Sequence, residues 1–168
     1  MSSSEIILEL EKNPEIFLSL LQVSKFQQFW KPKVDKWCLL EVVCHLLDEE
    51  REDFRTRLKF IFENPGKALK PIDPEGWVKE RNYLQQDFDK VLSSFIQERK
   101  KSVEWLKSIQ NPLWKNTAKH QGLGDISAEL LLANWLAHDY FHFRQIIRLK
   151  YEYLKQSAAI PLDYAGNW

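Results

Sequence analysis

His138 and His142 stand four residues apart, and on a helix that spacing puts both side chains on one face with Cβ atoms about 6 Å apart. Two imidazoles so placed can reach one metal ion at about 2.0–2.1 Å. Leu131, Trp135, Ile146 and Leu149 share their face at 100° per residue, so the pair lies on a stripe that faces a core. His45 is the candidate third ligand. Its neighbours at i−4, i+3 and i+4 are Glu41, Asp48 and Glu49, carboxylates able to orient a ligating imidazole or take a proton. Asp48, one turn from His45, is the candidate catalytic base. The bland readings stand beside these: buried histidines are often only hydrogen-bonded neutral groups, and Asp48 could simply hold a ligand imidazole. Three histidines suit zinc, nickel or a similar divalent ion and leave a coordination position open, as catalytic rather than structural zinc sites do.

Other arrangements point less far. His138-Asp139-Tyr140-Phe141-His142 has the spacing of the zincin motif H-E-x-x-H, but Asp139 stands where the general-base Glu belongs and has a shorter reach. His120 has no ligand-like neighbours and reads as an exposed or locally bonded residue. Cys38 and Cys44 are six apart on one expected helix, point in different directions and cannot bridge. Cys44 reads as a small core residue rather than a nucleophile. Arg55, Arg99 and Arg144 could contact an anionic substrate, though solvated or carboxylate-paired arginines are commoner. Trp37, Trp135 and Tyr140 could line a pocket, though aromatics at helical spacing are usually core.

Four segments must position these groups. The first is expected over Pro14 to Trp30, with Asn13 as N-cap, Pro14 at the first helical position and Ile16, Leu20, Leu21 and Val23 as its stripe. The second runs from about Trp37 to Phe62, with Cys38 and Glu41 in the places of a capping box. The third spans about Lys79 to Ile109, where Leu84, Phe88, Val91, Leu92, Phe95, Ser102 and Leu106 form a near-heptad stripe that also contains Arg99. Asp125 is the candidate cap of the fourth, which reaches about Leu154. β-branched alternation is absent, so no strand is expected. Such segments make an all-α four-helix bundle, read as a single domain over residues 1–168.

Composition narrows the function classes. Lys plus Arg and Asp plus Glu both number 24, so no excess field draws the chain to nucleic acid. No run of about eighteen apolar residues and no basic leader before an apolar stretch occurs, which argues against membrane and secreted readings. Two unpaired cysteines suit a reducing cytoplasm.

The run from Trp30 through Pro32, Lys36, Trp37, Glu41 and His45 to Arg51, and the run from Leu132 through Trp135, His138, Asp139 and His142 to Ile146, together resemble the DinB-like superfamily with its YfiT-type metal-dependent hydrolases. Trp77, Glu80, Arg81, Tyr83, Arg99 and the ending Pro161 to Trp168 are also similar to that group; Cys38 departs from it, standing where Ser is usual. The resemblance covers nearly the whole chain. It implies an up-down-down-up bundle with a long crossover, a metal held by three histidines between helices, and frequent dimers. Two activities are known among such relatives, hydrolysis by an activated water and transfer that depends on a thiol cofactor, so a small-molecule substrate is expected. A non-catalytic metal-binding stress or dimerisation module is the alternative of another class.

Overall fold

The computed structural model describes residues 1–166; the last two residues of the family-like ending, Asn167 and Trp168, lie outside the described residues. Helix α1 (Ser3–Leu20) starts earlier than the sequence suggested. Ser2 is its cap: Ser2 Oγ accepts from the Glu5 N–H while the Glu5 carboxylate accepts from the Ser2 N–H at 2.6 Å. Asn13 and Pro14 therefore lie inside the helix, not at its start. Pro14 cannot donate to the carbonyl four residues back, that of Leu10, and this oxygen instead accepts from Arg99 Nη1 at 3.5 Å. Asn13, almost fully buried, donates to Asp139 at 2.7 Å. The pair read as a helix start thus belongs to a buried polar layer. The buried stripe accordingly extends back to Ile6, Ile7, Leu10 and Phe17 and keeps Leu21, with Leu20 and Val23 packed against the core and Ile16 exposed. A short α2 (Lys25–Phe29), capped by Ser24, takes the rest of the expected first segment.

The second stretch follows expectation with one addition. Glu41 accepts from the Cys38 N–H at 2.8 Å, opening α3 (Leu39–Asp48). A π-helical turn, Glu49–Phe54, then leads without a break into α4 (Arg55–Glu63). A π turn admits an extra residue and rotates the helix downstream of it, and such turns recur at functional sites. Here it buries Glu49, Glu50 and Phe54 on the inner side of the helix.

The expected third helix is divided. Helix α5 (Pro74–Glu80) ends before Asn82, which sits in the left-handed region at φ 49°, a conformation Asn tolerates. A 3₁₀ turn over Tyr83–Gln85 comes next, leaving Leu84 exposed, and Asp87 caps α6 (Phe88–Ser108) by accepting from the Lys90 N–H. The expectation of no strands is also corrected. Thr117–His120 (β1) and Gly124–Ser127 (β2) form an antiparallel hairpin whose turn ends at Gly124, φ 74°. Each strand has four residues, too few for a readable alternation, and one face is pinned by buried Ala118 and Ile126. Asp125 therefore lies on β2. Ser127 caps α7 (Ala128–Ala158) by accepting from the Leu130 N–H at 3.1 Å.

Pairings fix the directions. Against α6, α1 pairs Glu11 with Lys107 and Phe17 with Phe95, so the two are antiparallel. Against α7, α1 pairs Asn13 with Asp139 and Phe17 with Phe143, so they are parallel. The α3–α4 stretch runs parallel to α6, since Glu50 meets Arg99 and Lys59 meets Trp105. It runs antiparallel to α7, since His45 meets His142 and Phe54 meets Trp135. The order is up-down-down-up, and this is a four-helix bundle.

Two apolar clusters fill it, one around Phe17, Leu40, Phe95 and Ile146, the other around Leu10, Leu58, Leu132 and Trp135. Between them lie Arg99, Glu50, Asp139 and Asn13, all 1% exposed or less. Among the described residues no helix is long and apolar enough to cross a membrane.

Candidate metal centre

Helix α3 carries His45 inward, and α7 carries His138 and His142 on successive turns of the face that meets α3. The three ring nitrogens converge. His138 Nε2 lies 3.3 Å from His45 Nε2 and 3.0 Å from His142 Nε2. His45 and His142 are buried and His138 is partly exposed. Two nitrogens bound to one tetrahedral ion at about 2.0–2.1 Å would themselves lie about 3.3 Å apart, so the spacing fits a shared ion.

Hydrogen bonding fixes the tautomer of one ligand. His142 Nδ1 donates to Gln145 Oε1 at 2.7 Å, which leaves the Nε2 lone pair pointing into the cluster. A proton on His138 Nε2 can be shared with His142 or with His45, but it cannot satisfy both well. A cation satisfies all three at once. Burial drives His45 down to about 3, helped by His142, and His142 down to about 4. His138 is also lowered, by burial first and then by the two other rings. Neutral imidazole, the form that ligates, is therefore the stable state at neutral pH. His45 Nδ1 is buried without a partner. That ring is held instead by packing against Trp37, 5.0 Å between centroids. Phe54, brought inward by the π turn, lies 5.0 Å from His138, and Phe141 meets His142 edge-on at 5.3 Å.

The carboxylates that surround the histidines in sequence lie outside the cluster, and Glu41, Asp48 and Asp139 have partners elsewhere. Glu41 pairs with Lys31 and holds the Cys38 N–H. Asp48 accepts from Tyr83 Oη at 2.6 Å and from Arg81 at 3.0 Å, so the structure does not bring it into the cluster. Glu49 sits beside Asp53, and burial together with that second carboxylate pushes it up to about 8. Asp139, at 0% exposure, is clamped by both terminal nitrogens of Arg99 at 2.6 and 2.7 Å. Among the described residues the group able to hold a metal is His45, His138 and His142 alone.

Of the other residues the sequence offered, His120 lies on β1 and accepts from the Gly122 N–H. Arg55 pairs with Glu98, Trp135 is core, and Cys38 and Cys44 are buried free thiols. Sequence reasoning missed Gln145, although its place three after His142 is the spacing of a side chain that meets it. It also missed the Arg99 network, whose signal was an arginine on an apolar stripe facing an aspartate between two buried histidines.

The DinB superfamily model matches residues 9–146. The chain belongs to the DinB superfamily. Among solved structures, this DinB-superfamily protein is similar to YfiT from Bacillus subtilis, described as a probable metal-dependent hydrolase with an unusual four-helix bundle topology. The TM-score is 0.80 at 18% identity, over 96% of this chain and 91% of that one. At that identity the likeness shows the fold. No curated protein matches the chain.

Proposed function

We propose that this DinB-superfamily protein is a divalent-metal-dependent hydrolase acting on a small molecule. The observation that carries the reading is the convergence of three Nε2 atoms, with neighbouring distances of 3.0 and 3.3 Å, that cannot all be satisfied by hydrogen bonds among themselves. The description of YfiT as a probable metal-dependent hydrolase supports it.

His45, His138 and His142 would hold the ion. Such an ion supplies Lewis acidity, which polarises a carbonyl or phosphoryl oxygen and acidifies water. The chain does the rest. Gln145 holds the His142 tautomer, Trp37, Phe54 and Phe141 pack against the three rings, and His138 is the ligand partly open to solvent. With Asp139 locked to Arg99, the zincin role of a glutamate between two histidines has no counterpart. Asp48 belongs to the Tyr83–Arg81 network, so in this reading it positions α3 rather than takes a proton.

The test is a panel of esters, amides, phosphoesters and thiol conjugates, the last with and without added thiol. It uses protein of known metal content beside His142→Ala. Hydrolysis that tracks metal content and vanishes in the variant supports the reading. Turnover only with added thiol would make it a thiol-dependent transferase, and metal-loaded protein inert on the whole panel would make it a non-catalytic binding module.

A further inference from the structure

A cleft one layer out from the histidines, lined by none of them, carries its own chemical signature. Helix α7 ends at Ala158, and Ala159, in the left-handed region at φ 52°, turns the chain back. The returning segment reaches a 3₁₀ turn at Asp163–Ala165, and with α7 it encloses a cleft of about 820 Å³. Among its lining residues are Phe141 and Gln145, both of which touch His142. Along its α7 wall stand Arg144, Arg148 and Lys155. Arg148 is matched with Glu152 on the same wall at 3.5 Å. Arg144 is not matched: its guanidinium lies over the Phe141 ring, 5.3 Å from the centroid, and no carboxylate among the described residues pairs with it. An arginine laid on an aromatic face next to a reacting centre presents its donors as a planar fork suited to a carboxylate.

We infer that this cleft is the substrate channel of the histidine centre and that it selects substrates carrying a carboxylate, which Arg144 binds while Phe141 packs against the adjoining apolar part. The inference rests on the reading of the histidine cluster as the reacting centre. Lys155 adds positive charge further along the wall, and Asp163 on the returning segment limits how far a second negative charge can enter.

Isothermal titration calorimetry of the full-length protein as purified tests it, with 4-phenylbutyrate and its neutral counterpart 4-phenylbutyramide as probes. The acid binds at least about tenfold more tightly than the amide, and Arg144→Ala removes that preference while leaving amide binding within about twofold. His138→Ala keeps the preference, because the carboxylate is held by Arg144 and not by an ion. Arg144→Lys restores it in part, keeping the charge without the fork. Acid and amide binding alike, no binding of the acid, or an acid preference lost in His138→Ala but kept in Arg144→Ala would each overturn the inference. An Arg144-dependent preference in a protein inert towards every hydrolysable substrate would leave the cleft assignment standing and remove the hydrolase reading instead.

Discussion

Replacing Arg99 by Ala should be among the most damaging single changes in this bundle. The side chain is 1% exposed, and its guanidinium bonds Glu50 at 2.9 Å, Asp139 at 2.6 and 2.7 Å and the Leu10 carbonyl at 3.5 Å. Truncation leaves two carboxylates, at 1% and 0% exposure, without their cation. Breaking a buried pair by removing one partner costs about 3–5 kcal/mol, far more than the pair itself contributes relative to an apolar replacement. For a chain of this length each kcal/mol lowers Tm by about 2–4 °C, so a fall of roughly 6–20 °C is expected. Burial already raises Glu50 against the opposing pull of Arg99. With the guanidinium gone, Glu50 protonates more readily in the folded state, so the deficit should shrink as pH falls from 8 towards 5. The triple change Arg99→Met, Glu50→Gln and Asp139→Asn should recover part of the loss, because no buried charge is left unpaired. Urea and thermal melts at pH 8, 7 and 5 measure all of this. An Arg99→Ala variant within about 1 kcal/mol of the parent at pH 8 would refute the buried network as the clamp between α6, α7 and the π turn.

The same geometry sets three further outcomes. His45 and His142, held at about 3 and 4 in the fold, have an ordinary value of 6.5. The unfolded chain therefore binds more protons, and their contribution is full above about pH 6.5 and lost as pH falls towards 4, by about 1.4 kcal/mol per unit for each ring; melts that stay flat from pH 8 to 5 would contradict it. Gln145→Leu should weaken metal binding about 10- to 100-fold in chelator competition, because His142 loses the acceptor that fixes its tautomer. Burial lifts Cys38 to about 11 and Cys44 to about 12, so a thiol reagent at pH 8 should leave both unmodified in the folded protein and find both once it is denatured.

The fold class and the histidine cluster were legible because both rest on period. The four-residue step from His138 to His142 and the apolar stripe around them survive in α7 unchanged, and the α3–α4 stretch keeps nearly its expected bounds. Legibility failed where a tertiary partner overrules a local rule. Asn13-Pro14 reads as a helix start, yet Arg99 serves the carbonyl that Pro14 leaves bare and Asp139 takes up Asn13. Both partners are distant in sequence, and nothing local announces them. Asp48 reads as a base near His45, and a spacing of three along a helix could not announce its bonds to Tyr83 and Arg81. The π turn has no sequence signature in Glu49–Phe54, although it is what brings Phe54 against His138. The hairpin escaped because its strands are too short to show a pattern.

The claim that three histidines form a metal site is tested most directly by counting metal per chain. Elemental analysis of untagged protein, beside a variant with His45, His138 and His142 all changed to Ala, should find about one divalent ion per chain in the parent and almost none in the variant, with the helical spectrum retained in both. Equal metal in the two proteins, or none in a parent dialysed against zinc and nickel, would contradict the account.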